Sequence, residues 1–495
     1  MKIKKLLVAN RGEIAVRVLR AAKELGITAV AVFSEADKNA FHVKVADEAY
    51  LIGAAPASES YLRGEKIIAL AKEIGADAIH PGYGFLSENA EFIKKCEEAG
   101  IIFVGPSAAS VEMMGEKTAA RTLMKEHGVP IVPGTTEPIE DENELIRVAA
   151  EIGYPVMLKA AAGGGGKGMR KIDSEDELID GFNRARSEAI KAFGNGAVYI
   201  EKFIENPKHI EVQIIADKHG NYRHLFEREC SVQRRHQKVI EESPSASVTP
   251  EVREKITEAA INAAKACNYH NAGTIEFLMD ANKNFYFLEM NTRLQVEHPV
   301  TELISGIDLV KEQIRIAEGE KISFEQDELY IHGAAIECRV YAEDATNNYA
   351  PSIGKIELHR LPSGPGVRVD QGIETGSEVS VYYDPMLSKV ITWGRTREDA
   401  IRRMLNVLNE YKIIGVKTNI PLFFWILKHP KFLDASFDIN FLENELVPLL
   451  PDKWEEDFEN IDDVVSVLGA IIRDDDLKFK VTENKISEQN AWAKL

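Results

Sequence analysis

The chain has 495 residues, of which 45% are hydrophobic and 28% are charged. This composition excludes a disordered chain and a small disulfide-bonded scaffold, and at ~150 residues per domain the length predicts about three domains. The net charge of −19 argues against general binding to nucleic acid or to a membrane surface, so an anionic ligand needs local cations, amides or metal ions.

The sequence gives no sign of export or of membrane insertion. No apolar run approaches the ~18–20 residues that a membrane helix needs. The apolar residues 6–9 are followed by Asn10 and Arg11, which predicts a first strand rather than a signal peptide. The four cysteines lie far apart, without the spacing of a zinc site or of a disulfide framework. We therefore expect a cytoplasmic protein.

Residues 1–114 alternate short β-branched runs with helical patterns. Strands are predicted at 3–9, 29–33, 78–80 and 101–104, and helices at 14–25, 65–74 and 91–99. This alternation predicts an α/β fold with a parallel sheet, in which ligands bind at the carboxyl ends of the strands. The segment 80–85, His-Pro-Gly-Tyr-Gly-Phe, follows one of these ends.

Longer strand patterns follow the first region. They include runs at 197–203, 209–216 and 334–341, and a further helix is predicted at 397–411. The chain ends in an extension that begins with an acidic stretch near residue 452. We expect a linker there and treat the end of the chain as a candidate docking element for a partner.

Four consecutive glycines at 163–166, between Lys159 and Lys167, are the most conspicuous local feature. Because glycines cost backbone entropy, such a loop is kept where bare amides must approach phosphate oxygens closely. The Lys-Ser/Thr ending of a P-loop is missing. The loop predicts phosphate binding, including closure over a nucleotide as a lid, and a flexible hairpin tip is the alternative.

Two acidic residues lie in a predicted β-hairpin within residues 273–291. A four-residue loop that pairs Asp280 with Phe285 places Glu276 directly opposite Glu289, with Cβ atoms ~4.5–5.5 Å apart. Because opposed like charges destabilise a sheet, we expect a cation between them. Oxygen ligands indicate Mg²⁺ or Mn²⁺, and the pair could hold two ions.

The same register assigns the apolar residues of the hairpin. It places Leu278 and Phe287 on the face of the two glutamates, and Phe277 and Leu288 on the other face. Apolar neighbours would shelter a metal site. The alternative is a face open to water, on which the two carboxylates diverge without a metal.

Two polar segments complete the candidate site. After the hairpin, Arg293, Gln295 and Glu297 alternate, and a cation beside a carboxylate suits an anionic substrate that must lose a proton. The alternative is a surface Arg–Glu pair. The basic stretch 233–238, Gln-Arg-Arg-His-Gln-Lys, is too short for nucleic acid but suits a triphosphate or bicarbonate, with a solvated turn as the alternative.

Together these motifs resemble the biotin carboxylases of the ATP-grasp superfamily. The matching segments are 9–15 (Ala-Asn-Arg-Gly-Glu-Ile-Ala), 80–89, Lys159 with the glycine loop, 201–203, 233–238 and 289–299. The resemblance extends from residue 3 to about residue 447.

The resemblance implies a domain order for the α/β chain. The expected parts are an N-terminal parallel-sheet (pre-ATP-grasp, Rossmann-like) domain at 1–114, an ATP-grasp domain at 115–328 with a mobile glycine-rich lid at about 131–203, a mixed α+β C-terminal domain at 329–448, and an extension at 449–495.

The resemblance also implies a reaction. ATP activates bicarbonate as carboxyphosphate, and N1 of biotin on a separate biotin carboxyl carrier protein is then carboxylated, with release of ADP and phosphate. ATP and two Mg²⁺ or Mn²⁺ ions are the implied cofactors. Biotin is a carrier-bound substrate that is not attached to this chain, since the biotinylation sequence Ala-Met-Lys-Met does not occur in it.

Partner subunits follow from the same resemblance. We expect the biotin carboxyl carrier protein on one other chain, the carboxyltransferase subunit on a further one, and a homodimer of this chain. The transferase determines the final acceptor, so acetyl-CoA, propionyl-CoA and pyruvate remain open. We expect neither nucleic acid nor membrane among the partners.

Site residues are implied position by position. The ATP-contacting set comprises Lys117, Lys159, Gly165, Gly166, Glu201, Lys202, Phe203, Ile204, His209, Gln233, His236, Glu276 and Glu289. The metal set comprises Glu276, Glu289 and Asn291. Lys238, Arg293, Gln295 and Val296 match the bicarbonate site. Glu297 matches the base that deprotonates bicarbonate, Arg293 the group that stabilises the biotin enolate, and Arg339, Tyr83 and Glu88 the biotin site.

Two other functions compete with this one. The first is another ATP-grasp ligase, which makes an acyl phosphate for attack by an amine. The joint presence of Arg293, Gln295 and Glu297 argues against it, because this set suits bicarbonate and biotin. The second is a catalytically silent scaffold, which the intact polar positions of all the motifs disfavour.

Overall fold

The computed structural model describes residues 2–135, 137–139, 141–160, 169–193, 196–235, 237–345 and 347–446. The chain divides into a compact unit, Met1–Leu442, and a second unit, Glu443–Leu495. The glycine loop and the acidic linker predicted near residue 452 lie outside the described residues, as does nearly all of the C-terminal extension.

Helices and strands alternate along most of the described chain. The helices are α1 Gly12–Glu24, α2 Phe41–Val45, α3 Gly64–Glu73, α4 Ala90–Glu98, α5 Ala108–Gly115, α6 Lys117–Glu126, α7 Glu142–Ile152, α8 Glu175–Phe193, α9 Pro250–Ala266, α10 His298–Ser305, α11 Leu309–Ala317, α12 Arg397–Glu410, α13 Ile420–Lys428, α14 Pro430–Leu433 and α15 Phe441–Glu445.

The strands of the described residues form six sheets. They are β1 Lys5–Val8, β2 Thr28–Ser34, β3 Glu48–Gly53, β4 Ala78–His80, β5 Ile102–Phe103, β6 Val156–Ala160, β7 Met169–Ile172, β8 Val198–Lys202, β9 Lys208–Ala216, β10 Tyr222–Arg234, β11 Gln237–Ser243, β12 Asn271–Met279, β13 Phe285–Asn291, β14 Ala334–Tyr341, β15 Glu343–Asp344, β16 Ala350–Pro351, β17 Gly354–Lys355, β18 Leu358–Arg360, β19 Val367–Gln371, β20 Glu378–Val379, β21 Met386–Gly394 and β22 Lys412–Ile414.

The N-terminal region forms the predicted parallel sheet. Its order is β3-β2-β1-β4-β5, and every pairing in it is parallel, which confirms the α/β class. The edge strand β3 was not predicted. It is half exposed and mixes polar with apolar residues, so it lacks the apolar run that identifies a buried parallel strand.

The loop after β4 is fixed by a side chain that follows β1. Asn10 is buried, and its Nδ2 donates hydrogen bonds to the carbonyl oxygens of Pro81 (2.6 Å) and Tyr83 (2.8 Å). Both strands end at the same edge of the sheet, where ligand-binding loops of parallel sheets gather. The contact therefore holds the loop that carries Tyr83 and Glu88.

An eight-stranded antiparallel sheet carries most of the candidate site. Its order is β13-β12-β9-β10-β11-β14-β21-β19. Strands on both sides of residue 328 thus share one hydrogen-bonded surface, joined where β11 pairs with β14. A separate three-stranded sheet, β7-β6-β8, packs with α7 and α8 around its own core, which includes Leu158, Phe182 and Ile200.

The β12–β13 hairpin places Glu276 opposite Glu289, as predicted. The predicted loop was wrong, however. The N–H of Asp280 donates to the carbonyl oxygen of Asn284 (2.9 Å), so the loop has three residues rather than four. A bulge beside Glu276 then restores the register that the four-residue loop would have given.

The bulge also changes the predicted pairing of the apolar residues and moves Phe287 from the face of the two glutamates to the face of Phe277. Phe277 pairs with Phe287, and both side chains are buried. Leu278 pairs with Tyr286 instead, and Leu288, at the bulge, is 40% exposed. Phe277 and Phe287 therefore form the core side of the hairpin.

This correction can be tested by measuring the free energy of unfolding. Phe287→Ala should cost about 3 kcal/mol, because it leaves a cavity in the core. Leu288→Ala should cost less than about 0.5 kcal/mol, because its side chain is largely in solvent. Equal losses in the two variants, measured by denaturant unfolding, would contradict the observed faces.

Candidate active site

The ammonium group of Lys238, on β11, lies among three carboxylates. Its Nζ donates to Glu211 Oε2 (2.6 Å), Glu276 Oε1 (2.8 Å) and Glu297 Oε1 (2.6 Å). Burial alone would lower the pKa of Lys238, but the three carboxylates hold it well above its ordinary value. Lys238 is therefore a permanent cation that joins β9, β12 and the residue before α10.

Glu211 has a second cation, Arg228, on the neighbouring strand β10. The Arg228 side chain is fully buried, and its Nε pairs with Glu211 Oε1. The other guanidinium nitrogens donate to Gln213 Oε1 (2.7 Å), Thr301 Oγ1 (2.9 Å) and Thr274 Oγ1 (3.1 Å). These bonds hold the Arg228 guanidinium in place, and its pair with Glu211 in turn fixes the carboxylate that contacts Lys238.

Glu297 also has a second cation. Arg339, on β14, donates from Nη2 to Glu297 Oε2 (2.8 Å) and from Nε to Glu241 Oε1 (2.5 Å). Burial alone would raise the pKa of Glu297, but Lys238, Arg339 and Arg228 hold it well below its ordinary value. Burial raises the pKa of Glu241 to about 7, although Arg339 opposes this.

Glu276 is held from three sides. Besides Lys238, Gln295 Nε2 donates to Glu276 Oε1 (3.1 Å), and His209 Nε2 lies 3.1 Å from Glu276 Oε2. Gln233 Nε2 lies 2.9 Å from His209 Nδ1, and because an amide nitrogen donates, Nδ1 is the acceptor and the ring N–H is on Nε2, facing Glu276. Burial alone would raise the pKa of Glu276, but Lys238 and His209 hold it well below its ordinary value.

The hairpin residues fit a hard divalent cation. Glu276 and Glu289 present carboxylates at directly opposed positions, Glu276 buried and Glu289 exposed, and Asn291 follows two residues further along β13. Carboxylate and amide oxygens are the ligands that Mg²⁺ and Mn²⁺ prefer. Such an ion is not the only group that compensates the charge of the two carboxylates, because Lys238 already offsets the charge of Glu276.

Arg293 links the hairpin to the N-terminal sheet. Its Nε donates to Glu88 Oε2 (2.9 Å), and its Nη2 donates to Asn291 Oδ1 (2.8 Å). The backbone N–H of Thr292 donates to Glu88 Oε1 (3.1 Å). The structure thus brings Glu88 and Arg293 together, and the half-buried Tyr83 lies in the same loop as Glu88.

Four consecutive members of the expected ATP-contacting set, residues 201–204, lie at the end of β8 and directly after it. Glu201 pairs with Lys159 on β6 and accepts a hydrogen bond from Arg121 Nη1 (2.8 Å). Lys202 Nζ donates to the carbonyl oxygens of Gly153 (2.8 Å) and Tyr154 (2.9 Å).

The next two residues complete this segment. The N–H of Phe203 donates to Pro155 O (3.1 Å), and Lys171 Nζ lies 5.0 Å from the Phe203 ring centroid. Both Phe203 and Ile204 are half-buried. Gly165, Gly166 and His236 lie outside the described residues, and so does the side chain of Lys117, which begins α6.

Known proteins match this chain along nearly its whole described length. Family models match at residues 2–111 (biotin carboxylase, N-terminal domain), 116–325 (carbamoyl-phosphate synthase L chain, ATP binding domain) and 337–444 (biotin carboxylase C-terminal domain). Biotin carboxylase 1 of Bacillus subtilis (strain 168) is 53% identical over 442 residues, which are 89% of this chain and 98% of the relative. The chain belongs to the biotin carboxylase family.

Two solved structures illustrate the family. A crystal structure of the biotin carboxylase domain dimer of Hydrogenobacter thermophilus 2-oxoglutarate carboxylase, with MgADP, ADP and bicarbonate, is 51% identical and has a TM-score of 0.82. The match covers 90% of this chain and 98% of the chain in that crystal structure. A crystal structure of the biotin carboxylase subunit of pyruvate carboxylase is 52% identical, also with a TM-score of 0.82 and with the same coverage of both chains, 90% and 98%.

Membership of the biotin carboxylase family confirms the resemblance and makes the chain an ATP-dependent ligase. Within the described residues, none of the helices is both long and apolar enough to cross a membrane.

Sequence reasoning missed three charged residues of the biotin carboxylase site: Glu211, Arg228 and Glu241. A signal for Glu211 was present, because His209, Glu211 and Gln213 alternate along a strand that was predicted. Arg228 and Glu241 owe their roles to pairing between strands, which a single strand pattern does not reveal.

Removing the shared cation should make stability depend on pH. In Lys238→Met, burial would raise the pKa values of Glu276 and Glu297, so their ionised forms would be unfavourable in the fold. We expect a loss of about 3 kcal/mol at about pH 8, shrinking at about pH 6 as protons neutralise the carboxylates.

The measurement is denaturant unfolding at both pH values. Lys417→Met is the matched control, because Lys417 is 66% exposed and pairs with Asp344 at the surface. The control should change stability by less than about 0.5 kcal/mol at either pH. A Lys238→Met deficit that is constant or grows toward low pH would contradict the assignment.

Proposed function

We propose that this chain carboxylates N1 of biotin on a separate carrier protein, with ATP and bicarbonate as the other substrates and carboxyphosphate as the intermediate. The observation that carries the proposal is the Lys238 ammonium, which bridges Glu276, on the hairpin with the metal ligands, and Glu297, before α10. Such a bridge places phosphate chemistry and proton transfer on either side of one cation.

The nucleotide would lie along the hairpin and the end of β8. We assign its contacts to Lys117, Lys159, Gly165, Gly166, Glu201, Lys202, Phe203, Ile204, His209, Gln233, His236, Glu276 and Glu289. Glu276, Glu289 and Asn291 would hold the divalent ions, which neutralise phosphate charge when bound. The chain's own part is positioning: Lys238, Gln295 and His209 fix the Glu276 carboxylate in advance.

Bicarbonate would lie against Lys238, Arg293, Gln295 and Val296, with Glu297 as the base. In the structure Glu297 is a weak base, because Lys238 and Arg339 both donate to it. An anion bound beside these cations draws their hydrogen bonds toward itself, and the pKa of Glu297 then rises. Substrate binding would therefore activate the base.

Biotin would lie near Arg293, Arg339, Tyr83 and Glu88. Biotin N1–H is a very weak acid, so its deprotonated form needs a positive partner. Arg293 would stabilise this enolate, and its pairs with Glu88 and Asn291 hold the guanidinium at the junction of the two motifs. Arg339 would contact the ureido oxygen.

The domain plan and partners belong to the same proposal. We divide the enzyme into 1–114, 115–328 (with a lid at about 131–203), 329–448 and a partner-docking extension at 449–495. A second copy of this chain, a biotin carboxyl carrier protein and a carboxyltransferase subunit would be its partners in the cytoplasm. The two solved structures come, by their names, from a pyruvate carboxylase and a 2-oxoglutarate carboxylase. Because similar chains occur with different acceptors, the acceptor would follow from the transferase.

The direct test is ATP hydrolysis by the purified chain with Mg²⁺. We expect bicarbonate and free biotin together to stimulate the release of ADP. An ATPase activity indifferent to both would contradict the proposal.

Two substitutions separate the nucleotide end from the biotin end. Glu289→Gln should raise the half-saturating concentration of Mg-ATP about tenfold, because it weakens a metal ligand. Arg293→Ala should leave the ATP half-saturation within about twofold but lower biotin carboxylation about 100-fold, because it removes a charge that stabilises the transition state.

Arg402→Ala is the control for Arg293→Ala. Arg402 is 72% exposed and pairs with Asp399 on α12. The Arg402→Ala variant should behave as the wild type in both the ATP and the biotin carboxylation assays. Unchanged carboxylation by Arg293→Ala would refute its role.

A further inference from the structure

Val296 can contact an anion only through its backbone, because its side chain is apolar. The peptide group before Val296 contains this N–H and sets where it points, and the peptide group after Val296 anchors the backbone on the other side. One contains the carbonyl of Gln295 and the N–H of Val296, and the other contains the carbonyl of Val296 and the N–H of Glu297. In the structure, each of these two carbonyl oxygens accepts a hydrogen bond from a side chain.

Lys389, on β21, holds the second peptide group. Its side chain is fully buried, and its Nζ donates to Val296 O at 2.6 Å. The carboxylates of Glu13 and Asp370 lie further away, each at 3.7 Å. The short contact of this ammonium is thus with a backbone carbonyl, while the two carboxylates offset its charge.

His298, the first residue of α10, holds the preceding peptide group. Its Nδ1 lies 2.8 Å from Gln295 O. Burial, with Lys389 and Arg17 nearby, holds the pKa of His298 well below its ordinary value. The ring is therefore neutral, and because a carbonyl only accepts, its proton is on Nδ1.

Lys389 also lies beside a residue of the site. On the sheet it pairs directly with Arg339 of β14, so the two cations project from the same face. Arg339 donates to the Glu297 carboxylate and Lys389 to the Val296 carbonyl. Adjacent strands thus hold two successive residues of the 295–297 segment.

A buried ammonium is expensive to desolvate, and an apolar side chain of the same length would pack as well. Its hydrogen bond to a carbonyl in the anion-binding segment suggests a role in orientation. We propose that Lys389, together with His298, is a positioning residue that fixes the peptide groups of Val296 for bicarbonate. This inference rests on the proposed function.

The test measures bicarbonate-dependent ATP hydrolysis, with ATP and bicarbonate varied separately. Lys389→Met keeps the length of the side chain and removes the donor. We expect its half-saturating bicarbonate concentration to rise about tenfold, the effect of one lost hydrogen bond, while that for ATP stays within about twofold. A general structural defect would change the half-saturating concentrations of both substrates, or it would lower only the maximal rate.

A second pair of variants tests the same claim without a change at Lys389. His298→Leu removes the side-chain donor to the Gln295 carbonyl and leaves the backbone N–H of residue 298, which also donates to it (3.3 Å). In His298→Asn, the side-chain amide can take the place of Nδ1. We expect weaker bicarbonate saturation in His298→Leu and rescue in His298→Asn. Arg397→Met, which breaks a contact with Glu242 and Phe432 instead, is the matched control and should leave bicarbonate saturation unchanged.

The outcomes separate the two proposals. A wild-type enzyme without bicarbonate-dependent hydrolysis would overturn the proposed function itself. If the wild type responds but Lys389→Met shows the same bicarbonate half-saturation, the positioning role is overturned alone. Equal bicarbonate saturation in His298→Leu and His298→Asn overturns it as well, even if Lys389→Met does not fold.

Discussion

A single ammonium group that is largely shielded from solvent, that of Lys238, organises the site of this enzyme. Glu211, Glu276 and Glu297 come from two strands and a loop, and each accepts a hydrogen bond from the same Nζ. Buried ions are stable only when every partner is present, because an unpaired charge in the interior costs several kcal/mol. The arrangement of three chain segments is therefore tied to one side chain, which also lies where an anionic substrate would bind.

The network changes the interpretation of the opposed glutamates. From the sequence alone, a metal ion was expected between Glu276 and Glu289, since like charges repel. The structure shows that protein cations and donors already compensate Glu276, while Glu289 faces solvent. The site is thus preorganised before any ion arrives, which is the condition under which fixed charges stabilise a transition state most effectively.

Local patterns in the sequence predicted the local structure well. The predictions of the parallel sheet and of the opposition of Glu276 and Glu289 are both correct, but the second is correct through two errors that cancel. The predicted loop is one residue too long, and the bulge beside Glu276 was not predicted. A bulge depends on how a strand packs, so no count of residues predicts it. Residues such as Arg228 and Lys389 were missed because their partners lie on other strands, and only the assembled sheet brings them together.

The most direct measurement of the central claim follows the oxygen atoms of bicarbonate. If Lys238 holds bicarbonate where ATP can phosphorylate it, then ¹⁸O-labelled bicarbonate should transfer one labelled oxygen to each phosphate released, as mass spectrometry of the phosphate would show. Phosphate without label, formed at the same rate, would mean that water rather than bicarbonate attacks ATP, and it would contradict the account.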